Sequence, residues 1–293
     1  METVCCGKQW DVILLRNEQG AVSAALPYLI GSKLGLRYIL QPQLTQYNGP
    51  WYRPGTNIPS ATQQLMAELN KLRLSLYRQC FAPGTPNLEA WQGYERLPRI
   101  TYRIEDISDP EAVFRNFDKR HRKTPIRSAS KVLHPADITP EAFADLHAHY
   151  WRSRGQKDLL PHDFMVRLIT AALQHGQGLL TAVADESGTI HAARFVAFDS
   201  NCAYSLLSAL GEEHHNGASP YLFWLILQQL AAKTRAFDFE GSMTPSIAHA
   251  YSLYGSTPTT FIPSSFATST FFSVSSKNTH SSATKLYLSI SLL

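Results

Sequence analysis

The sequence has few cysteines, and none of them are arranged for metal binding. Its four cysteines, Cys5, Cys6, Cys80 and Cys202, include no C-x-x-C pair, and the eleven histidines are scattered along the chain. Zinc sites place cysteines or histidines at short fixed spacings, and small secreted domains use conserved sets of paired cysteines. The sequence therefore predicts no metal site and favours a reduced, cytoplasmic compartment.

Long apolar runs and strong charge are also missing. No segment approaches the ~20 apolar residues of a membrane-spanning helix, and the first ten residues lack the apolar core of a signal peptide. The formal net charge is only +4 over 293 residues, whereas dedicated nucleic-acid-binding domains are more basic. A hydrophobic content of 44% is enough to bury a core, which excludes a wholly disordered chain.

One order of secondary-structure elements is predicted twice. In the first half, strands at 10–16, 21–30 and 36–40 precede a polar loop at 41–59 and a helix that the capping box Ser60-Ala-Thr-Gln63 opens and that runs to about Leu74. In the second half, strands at 178–185, 189–198 and 202–209 precede a loop at 211–217 and an apolar helix at 219–233. Both halves therefore read as strand, strand, strand, loop, helix.

Individual residues match at a constant separation. Asn17-Glu-Gln-Gly20 corresponds to Asp185-Glu-Ser-Gly188, and Asn48-Gly49 corresponds to Asn216-Gly217, each 168 residues later. Such turns also recur for purely local reasons, but the repeated order of elements favours an internal duplication. We therefore predict an N-terminal unit over residues 1–108 and a C-terminal unit over 109–255. The first unit is either complete or lacks an upstream strand and helix.

The sequence changes character at Ser256. From there to residue 293, about half of the residues are serine or threonine, and Lys277 and Lys285 are the only charged ones. Such a biased composition does not specify a packed core. We expect 256–293 to be a low-complexity tail, produced by a shifted reading frame or of unrelated origin, with a native tail as the alternative. Without a closing strand, the C-terminal sheet would keep an unpaired edge.

Several motifs resemble the Fem-type (FemAB-like) branch of the GNAT acyltransferase superfamily. They are Gln41-Pro-Gln-Leu-Thr-Gln-Tyr-Asn-Gly-Pro50, His215-Asn-Gly-Ala-Ser-Pro-Tyr-Leu-Phe-Trp224 and Phe237-Asp-Phe-Glu-Gly-Ser-Met243. The resemblance implies an α/β (α+β) fold of tandem GNAT-like units, each a mostly antiparallel sheet flanked by helices. It also implies a bacterial-type N-acyltransferase that moves an acyl or aminoacyl group to an amine acceptor, either a small molecule or a peptide such as a cell-wall precursor.

The donor stays open between an acyl-CoA, such as acetyl-CoA, and an aminoacyl-tRNA. The usual CoA signature, Gln/Arg-x-x-Gly-x-Gly/Ala, is met loosely, because His214 stands at its first position and Ser219 at its last. A helical arm that some tRNA-dependent Fem proteins carry is absent from the sequence. The resemblance therefore implies a donor but does not choose between the two.

The loop before the apolar helix is the predicted carrier site. An anion can bind backbone N–H groups at the positive end of a helix dipole, and a glycine allows close approach. This reasoning assigns cofactor binding to His215, Asn216, Gly217, Ala218 and Ser219. The alternative is that the glycine serves only helix packing or a tight turn.

Phe237-Asp-Phe-Glu240 alternates apolar and acidic residues, so a strand there would place Asp238 and Glu240 on one face. Transfer to an amine requires a proton acceptor. Glu240 is the predicted acceptor, and Asp238 is predicted to orient a neighbouring group. The alternative is a structural salt bridge between these carboxylates and Arg194, Arg235 or a lysine.

Four other residues complete the predicted site. Arg194 interrupts an apolar strand and is predicted to bind substrate, the alternative being an outward-facing arginine. Tyr204 and Tyr221 are further substrate-binding candidates, and Tyr254 is the candidate that protonates a leaving group. The alternative for all three tyrosines is a place in the core with the hydroxyl at its margin.

A basic segment supports a rival function. Lys119-Arg-His-Arg-Lys123, with Arg127 and Lys131 beyond it, could follow a phosphate backbone and bind tRNA or another RNA. Interleaved aromatic residues that would stack on bases are missing, and a solvated helix face is the alternative. RNA binding is therefore the second hypothesis, and an inactive interaction protein of the same fold is the third.

Overall fold

The computed structural model describes residues 5, 8–91, 95–96, 98–241 and 243–267. They form two compact units, one made mainly of Arg99–Phe261 and the other of the described residues in 8–98 and 262–267. We call them the C-terminal and the N-terminal unit. The sequence places the boundary at residue 108, whereas the strand Arg99–Ile104 pairs with Ala236–Asp238 and lies in the C-terminal unit.

The N-terminal unit is a sheet covered by one long helix. Its elements are β1 (Gln9–Arg16), β2 (Val22–Lys33), β3 (Leu36–Leu40), β4 (Trp51–Tyr52), α1 (Ile58–Lys71), β5 (Leu76–Phe81) and β6 (Glu95–Arg96), with a 3-10 turn at Leu88–Ala90. Strands β1, β2 and β3 form an antiparallel meander, and β5 joins β3 in parallel. Ala61, Leu65 and Leu69 of α1 are buried in the core of this unit.

Helix α1 begins earlier than its predicted capping box. The Asn57 side chain accepts a hydrogen bond from the Ser60 N–H at 3.2 Å, and the helix starts at Ile58. Pro59 fits the first turn, where a helix does not need its N–H. The prediction of a cap at Ser60 is therefore wrong, because Asn57 performs that role three residues upstream.

The C-terminal unit has a longer series of elements. These are β7 (Arg99–Ile104), α2 (Pro110–Arg115), a π-helical turn at Lys119–Lys123, α3 (Thr124–Ala129), β8 (His134–Ala136), α4 (Pro140–Ser153), α5 (His162–Gln174), β9 (Gly178–Ala184), β10 (Ile190–Phe198), β11 (Cys202–Leu210), α6 (Ala218–Leu230), β12 (Ala236–Asp238) and α7 (Pro245–Ser252). Strands β9, β10 and β11 form an antiparallel meander, β12 joins β11 in parallel, and β7 runs antiparallel to β12. Among the helices described, none is both long and apolar enough to cross a membrane.

Helices cover both faces of the meander in the C-terminal unit. Helix α6 packs against β9 and β10, whereas α4 packs on β11 and α5 on β9. Ala192 and Val196 of β10 share a core with Leu222, Phe223 and other residues of α6. Because alternate residues of a strand share a face, this packing also fixes where the side chain of position 194 lies.

The two units repeat one architecture, a meander followed by a helix and a parallel strand. Their first hairpins are built alike. Asn17 Oδ1 accepts hydrogen bonds from the N–H groups two and four residues later, and Asp185 Oδ1 does the same. Gly20 and Gly188 both adopt a positive φ, 77° and 84°, which glycine tolerates without strain. The predicted fold class, mostly antiparallel sheets flanked by helices, is confirmed.

The second residue match between the two halves is not structural. Gly217 immediately precedes α6, whereas Gly49 lies well before α1. The helices begin at 58 and 218 and the parallel strands at 76 and 236, so both follow at a separation of 160 rather than 168. The longer loop before α1 accounts for the difference. The matching Asn-Gly dipeptides are therefore coincidental.

A last strand, β13 (Thr257–Ala267), corrects the prediction for the tail. Residues 257–261 pair with β7 in the C-terminal unit, and residues 262–267 pair with β5 in the N-terminal unit. Threonine and phenylalanine favour extended backbone, and the neighbouring strands supply the hydrogen bonds. The prediction of an unpacked tail and an unpaired edge is wrong for 257–267, and residues 268–293 lie outside the described part.

Candidate functional site

Strands β11 and β12 separate soon after they meet. They pair only where Cys202–Tyr204 lies opposite Ala236–Asp238, although β11 continues to Leu210. Beyond β12 the chain follows β7 instead, because the Phe239 N–H donates to the Tyr102 carbonyl at 2.9 Å. We call this divergence the β11–β12 fork, and Arg103, Asp238 and Glu240 lie beside it.

Asp238 lies at the base of the fork and is completely buried. Its carboxylate accepts hydrogen bonds from the Thr101 hydroxyl and from the Glu240 N–H at 2.7 Å, and it lies 3.5 Å from Arg103 Nη1. These contacts connect β12 to β7. The salt-bridge partner is therefore Arg103, not the Arg194 or Arg235 that the sequence offered.

Glu240 lies just beyond the strand in a left-handed conformation, with φ 62°. Only Ala236–Asp238 form β12, so the predicted alternation of Asp238 and Glu240 along one strand face is wrong. Its backbone N–H is held by Asp238, which stabilises a conformation that non-glycine residues seldom adopt. Burial, together with the nearby charge of Asp238, raises the pKa of the Glu240 carboxyl well above its usual range.

Arg194 points into the interior rather than outward. Its side chain is 9% exposed, and its guanidinium lies 5.7 Å from the centre of the Phe223 ring on α6. Nε and Nη1 are buried and have no hydrogen-bond partner among the described residues. Burial lowers the pKa of this guanidinium below its ordinary value. The alternative of an outward-facing arginine is wrong.

Tyr254 packs at the centre of an aromatic cluster beside Arg194. Its ring lies 4.6 Å from Phe223 and 5.1 Å from Phe117, and Arg122 covers it at 4.3 Å. Burial raises the pKa of the phenol, and the charges of Arg122 and Arg194 oppose that shift. Tyr254 is therefore a protonated phenol at neutral pH, with two cations near it.

The other two predicted tyrosines lie at different places. Tyr204 is at the base of the fork, opposite Asp238 in the β11–β12 pairing. Burial raises the pKa of its phenol, and the nearby Cys202 contributes to the same shift. Tyr221, in the first turn of α6, packs at the margin of the core. The structure thus brings Tyr204 to the fork, whereas Tyr221 lies nearer the predicted carrier loop.

Internal hydrogen bonds already use part of the predicted carrier loop. The His215 N–H donates to His191 Nδ1 and the Gly217 N–H donates to His215 Nδ1, both at 2.9 Å. Asn216 is exposed, and Ala218 and Ser219 open the helix. A Cβ on Gly217 would lie 2.2 Å from the carbonyl oxygen of Pro125 in α3. The geometry therefore supports the packing role of this glycine.

We expect Gly217→Ala to lower the free energy of unfolding by about 2–3 kcal/mol, because the new methyl group meets fixed backbone rather than a movable side chain. Urea denaturation measures the change. Asn216→Ala is the matched control, since that neighbouring side chain is exposed and should have little effect. Equal stability of the two variants would contradict the close contact between α6 and α3.

The basic segment is partly turned inward. Arg122 Nη2 donates to the Ala250 carbonyl at 2.6 Å, and Lys123 Nζ donates to the Arg115 carbonyl at 2.8 Å. Arg120 and Arg127 remain exposed. Two of the cations predicted to bind RNA therefore form hydrogen bonds within the fold instead. Arg122 also contacts Tyr254, although the sequence pattern allowed its segment to be a solvated helix face. Only its place within a basic run could have drawn attention to it.

Comparison with known proteins identifies the family. A family model described as an acetyltransferase (GNAT) domain matches residues 95–245, slightly more than half of the chain. The chain belongs to this family, and acyl or aminoacyl transfer is the activity that its fold supports in general. A comparison with curated proteins by sequence finds no match.

Solved structures agree with this assignment at the level of the fold. FemX superposes with a TM-score of 0.70 at 12% identity, covering 87% of this chain and 88% of its own. A tandem GNAT protein from the clavulanic acid biosynthesis pathway gives 0.56 at 15% identity, covering 89% and 83%. L-PGS from Bacillus licheniformis gives 0.53 at 11% identity, covering 87% and 83%. The two-unit, Fem-type fold predicted from the sequence is confirmed.

Proposed function

We propose that the C-terminal unit transfers an acyl or aminoacyl group to an amine acceptor at the β11–β12 fork. The observation that carries this proposal is Glu240, a half-buried carboxyl with a raised pKa at the place where the sheet opens. A proton acceptor works best when its pKa approaches the working pH. A buried arginine and a phenol next to the fork supply the other polar groups that such a reaction uses.

In the proposed reaction, the amine nitrogen attacks the carbonyl carbon of a thioester or ester. Glu240 takes the proton that the nitrogen loses, the new C–N bond forms, and the C–S or C–O bond to the carrier breaks. Tyr254 is the proposed donor of a proton to the leaving group, and solvent then restores both residues. Asp238 acts as a positioning residue, because it holds the Glu240 backbone.

The donor and acceptor are assigned to different parts of the unit. We assign the carrier, an acyl-CoA or an aminoacyl-tRNA, to residues 215–219 at the start of α6, where a helix dipole favours anions. Arg194, Tyr204 and Tyr221 are the proposed contacts to the acceptor, a small amine or a peptide such as a cell-wall precursor. We further propose that the reaction takes place in the cytoplasm and needs no metal.

A thermal-shift series tests the donor. A ligand that binds only the folded protein stabilises it by about 2.7 kcal/mol at one hundred times its dissociation constant. We expect acetyl-CoA or another acyl-CoA to raise the melting temperature. With that donor carrying a radiolabelled acyl group, we also expect label to be transferred to at least one of a set of amines. A response to bulk tRNA that disappears with added salt would instead favour the tRNA donor or RNA binding. No response and no transfer with any donor would contradict the proposal.

A further inference from the structure

Two arginines of the C-terminal unit approach Tyr254, and neither forms an ion pair with an acidic residue in the described part of the chain. Arg122 stacks over the ring, and its two Nη atoms donate to the carbonyls of His121 and Ala250 at 2.8 and 2.6 Å. Its Nε is buried and unpaired among the described residues. Carbonyl oxygens carry only partial charge, so the unit charge of Arg122 is held in place but is not neutralised.

Arg194 is the more exceptional of the two. A buried guanidinium is normally paired with a carboxylate or fully hydrogen-bonded, because removing a charge from water is costly. Here Nε and Nη1 have no partner in the described part of the chain, and the contact with the Phe223 ring compensates only in part. The side chain therefore carries unused donors in a largely enclosed place.

The nearby acids do not neutralise these charges. Asp238 is engaged by Thr101 and Arg103, and no ion pair joins Arg194 to Glu240 in the described structure. Arg122 also lowers the pKa of Arg194, as two neighbouring cations should. The surroundings of Tyr254 therefore have a surplus of positive charge.

We propose that Arg194 and Arg122 form an anion-binding site, in which Arg194 donates hydrogen bonds to a carboxylate or phosphate of the substrate and Arg122 supplies a fixed positive charge. This assignment deepens the proposed function and rests on it, because only a transferase has a substrate to bind here. It adds that this substrate carries an anionic oxygen group near the fork. Arginine suits both chemistries because its donors match planar and tetrahedral oxyanions.

Equilibrium binding of simple anions tests the site without any transfer reaction. The full chain is titrated with phosphate, pyrophosphate, acetate and malonate at constant ionic strength, with chloride as the reference salt, while its melting temperature is followed. We expect one of the two families of anion to raise the melting temperature well above chloride. A preference for phosphates would indicate a phosphate-bearing substrate, and a preference for carboxylates an amino-acid or peptide acid. Responses equal to chloride would overturn the proposal.

Arg194→Met identifies the residue responsible. It should raise the melting temperature of the ligand-free protein, because it removes an unpaired buried charge, and weaken anion binding by about tenfold or more. Arg120→Met removes one charge from a neighbouring exposed position and should leave anion affinity unchanged. Unchanged affinity in Arg194→Met would overturn the proposal.

If Arg194→Met does not fold, Arg194→Lys replaces it. Lysine keeps the charge but lacks the planar donors of arginine, so anion affinity should still fall, and unchanged affinity would again overturn the proposal. Arg122→Met tests the second arginine, since it removes the positive charge that the carbonyls of His121 and Ala250 hold over Tyr254. It should weaken anion binding, and unchanged affinity would overturn the role of Arg122 in the site. Failure of this inference and of the proposed function are distinguishable. Anion binding without transfer by any donor would contradict only the enzyme, and transfer without anion binding would contradict only the site.

Discussion

Replacing Glu240 by glutamine should slow acyl transfer by about 10²–10⁴-fold, the usual contribution of a positioned general base. Glutamine keeps the size and hydrogen-bonding shape of the side chain but cannot accept the amine proton. The left-handed backbone at this position is unaffected, because both residues carry the same strain there. The measurement is kcat/KM with the donor that the thermal-shift series identifies.

The pH dependence gives a second readout of the same residue. Since only the ionised carboxylate accepts a proton, kcat/KM should rise with pH through the raised pKa of Glu240 and then level off. An ordinary exposed glutamate would place that limb at lower pH. The acidic limb should be missing from the residual activity of Glu240→Gln. A wild-type acidic limb near the usual glutamate range would contradict the assignment.

The contribution of Glu240 to the free energy of unfolding should fall as pH rises, whereas kcat/KM should rise. The folded protein holds the Glu240 proton to higher pH than the unfolded chain does, so the unfolded state loses its proton first and stability falls as pH rises between the two pKa values. Glu240→Gln does not titrate, and its stability relative to the wild type should therefore increase with pH over that window. Glu186→Gln, in the exposed first hairpin of the C-terminal unit, is the control and should alter neither activity nor this trend.

The sequence predicts the antiparallel meanders and most α-helices because these elements depend on local periodicity. The GNAT-like type of the units was predicted from short motifs instead. The position of Glu240 does not follow from such periodicity. Phe237-Asp-Phe-Glu240 reads as an alternating strand, but β12 ends at Asp238 and the next residues turn toward β7. The left-handed backbone at Glu240 depends on a hydrogen bond to Asp238, which is itself fixed by Thr101 and Arg103 from a distant strand.

The directions of the two arginine side chains differ in how far the sequence could predict them. Positions 192, 194 and 196 are every second residue of β10 and therefore lie on one face of the strand. The sequence pattern thus indicates that Arg194 shares the buried face with Ala192 and Val196. Arg122 had no such signal, since the π-helical turn that points it toward Tyr254 interrupts ordinary helical spacing. Strand β13 was missed because composition describes a segment alone, whereas β7 and β5 supply its hydrogen-bond partners.

Replacing Asp238 by asparagine should lower the free energy of unfolding by roughly 3 kcal/mol, the cost of removing one partner from a buried ion pair. The change leaves the Arg103 guanidinium, whose side chain is 15% exposed, without its buried counter-ion. It also weakens the hydrogen bonds from Thr101 and from the Glu240 N–H, which connect β12 to β7 and hold the turn at Glu240. Urea denaturation measures the loss.

Glu105→Gln is the matched control for Asp238→Asn, because Arg103 also contacts the exposed Glu105 carboxylate at 3.0 Å. A surface ion pair contributes about 0–1 kcal/mol, so this variant should remain close to the wild type in stability. Activity separates the two further. Asp238→Asn should have reduced acyl transfer even at temperatures where it is fully folded, since the contact that holds the Glu240 backbone is weakened, whereas Glu105→Gln should retain full activity. Equal stability losses in the two variants, or full activity in folded Asp238→Asn, would contradict a positioning role for Asp238.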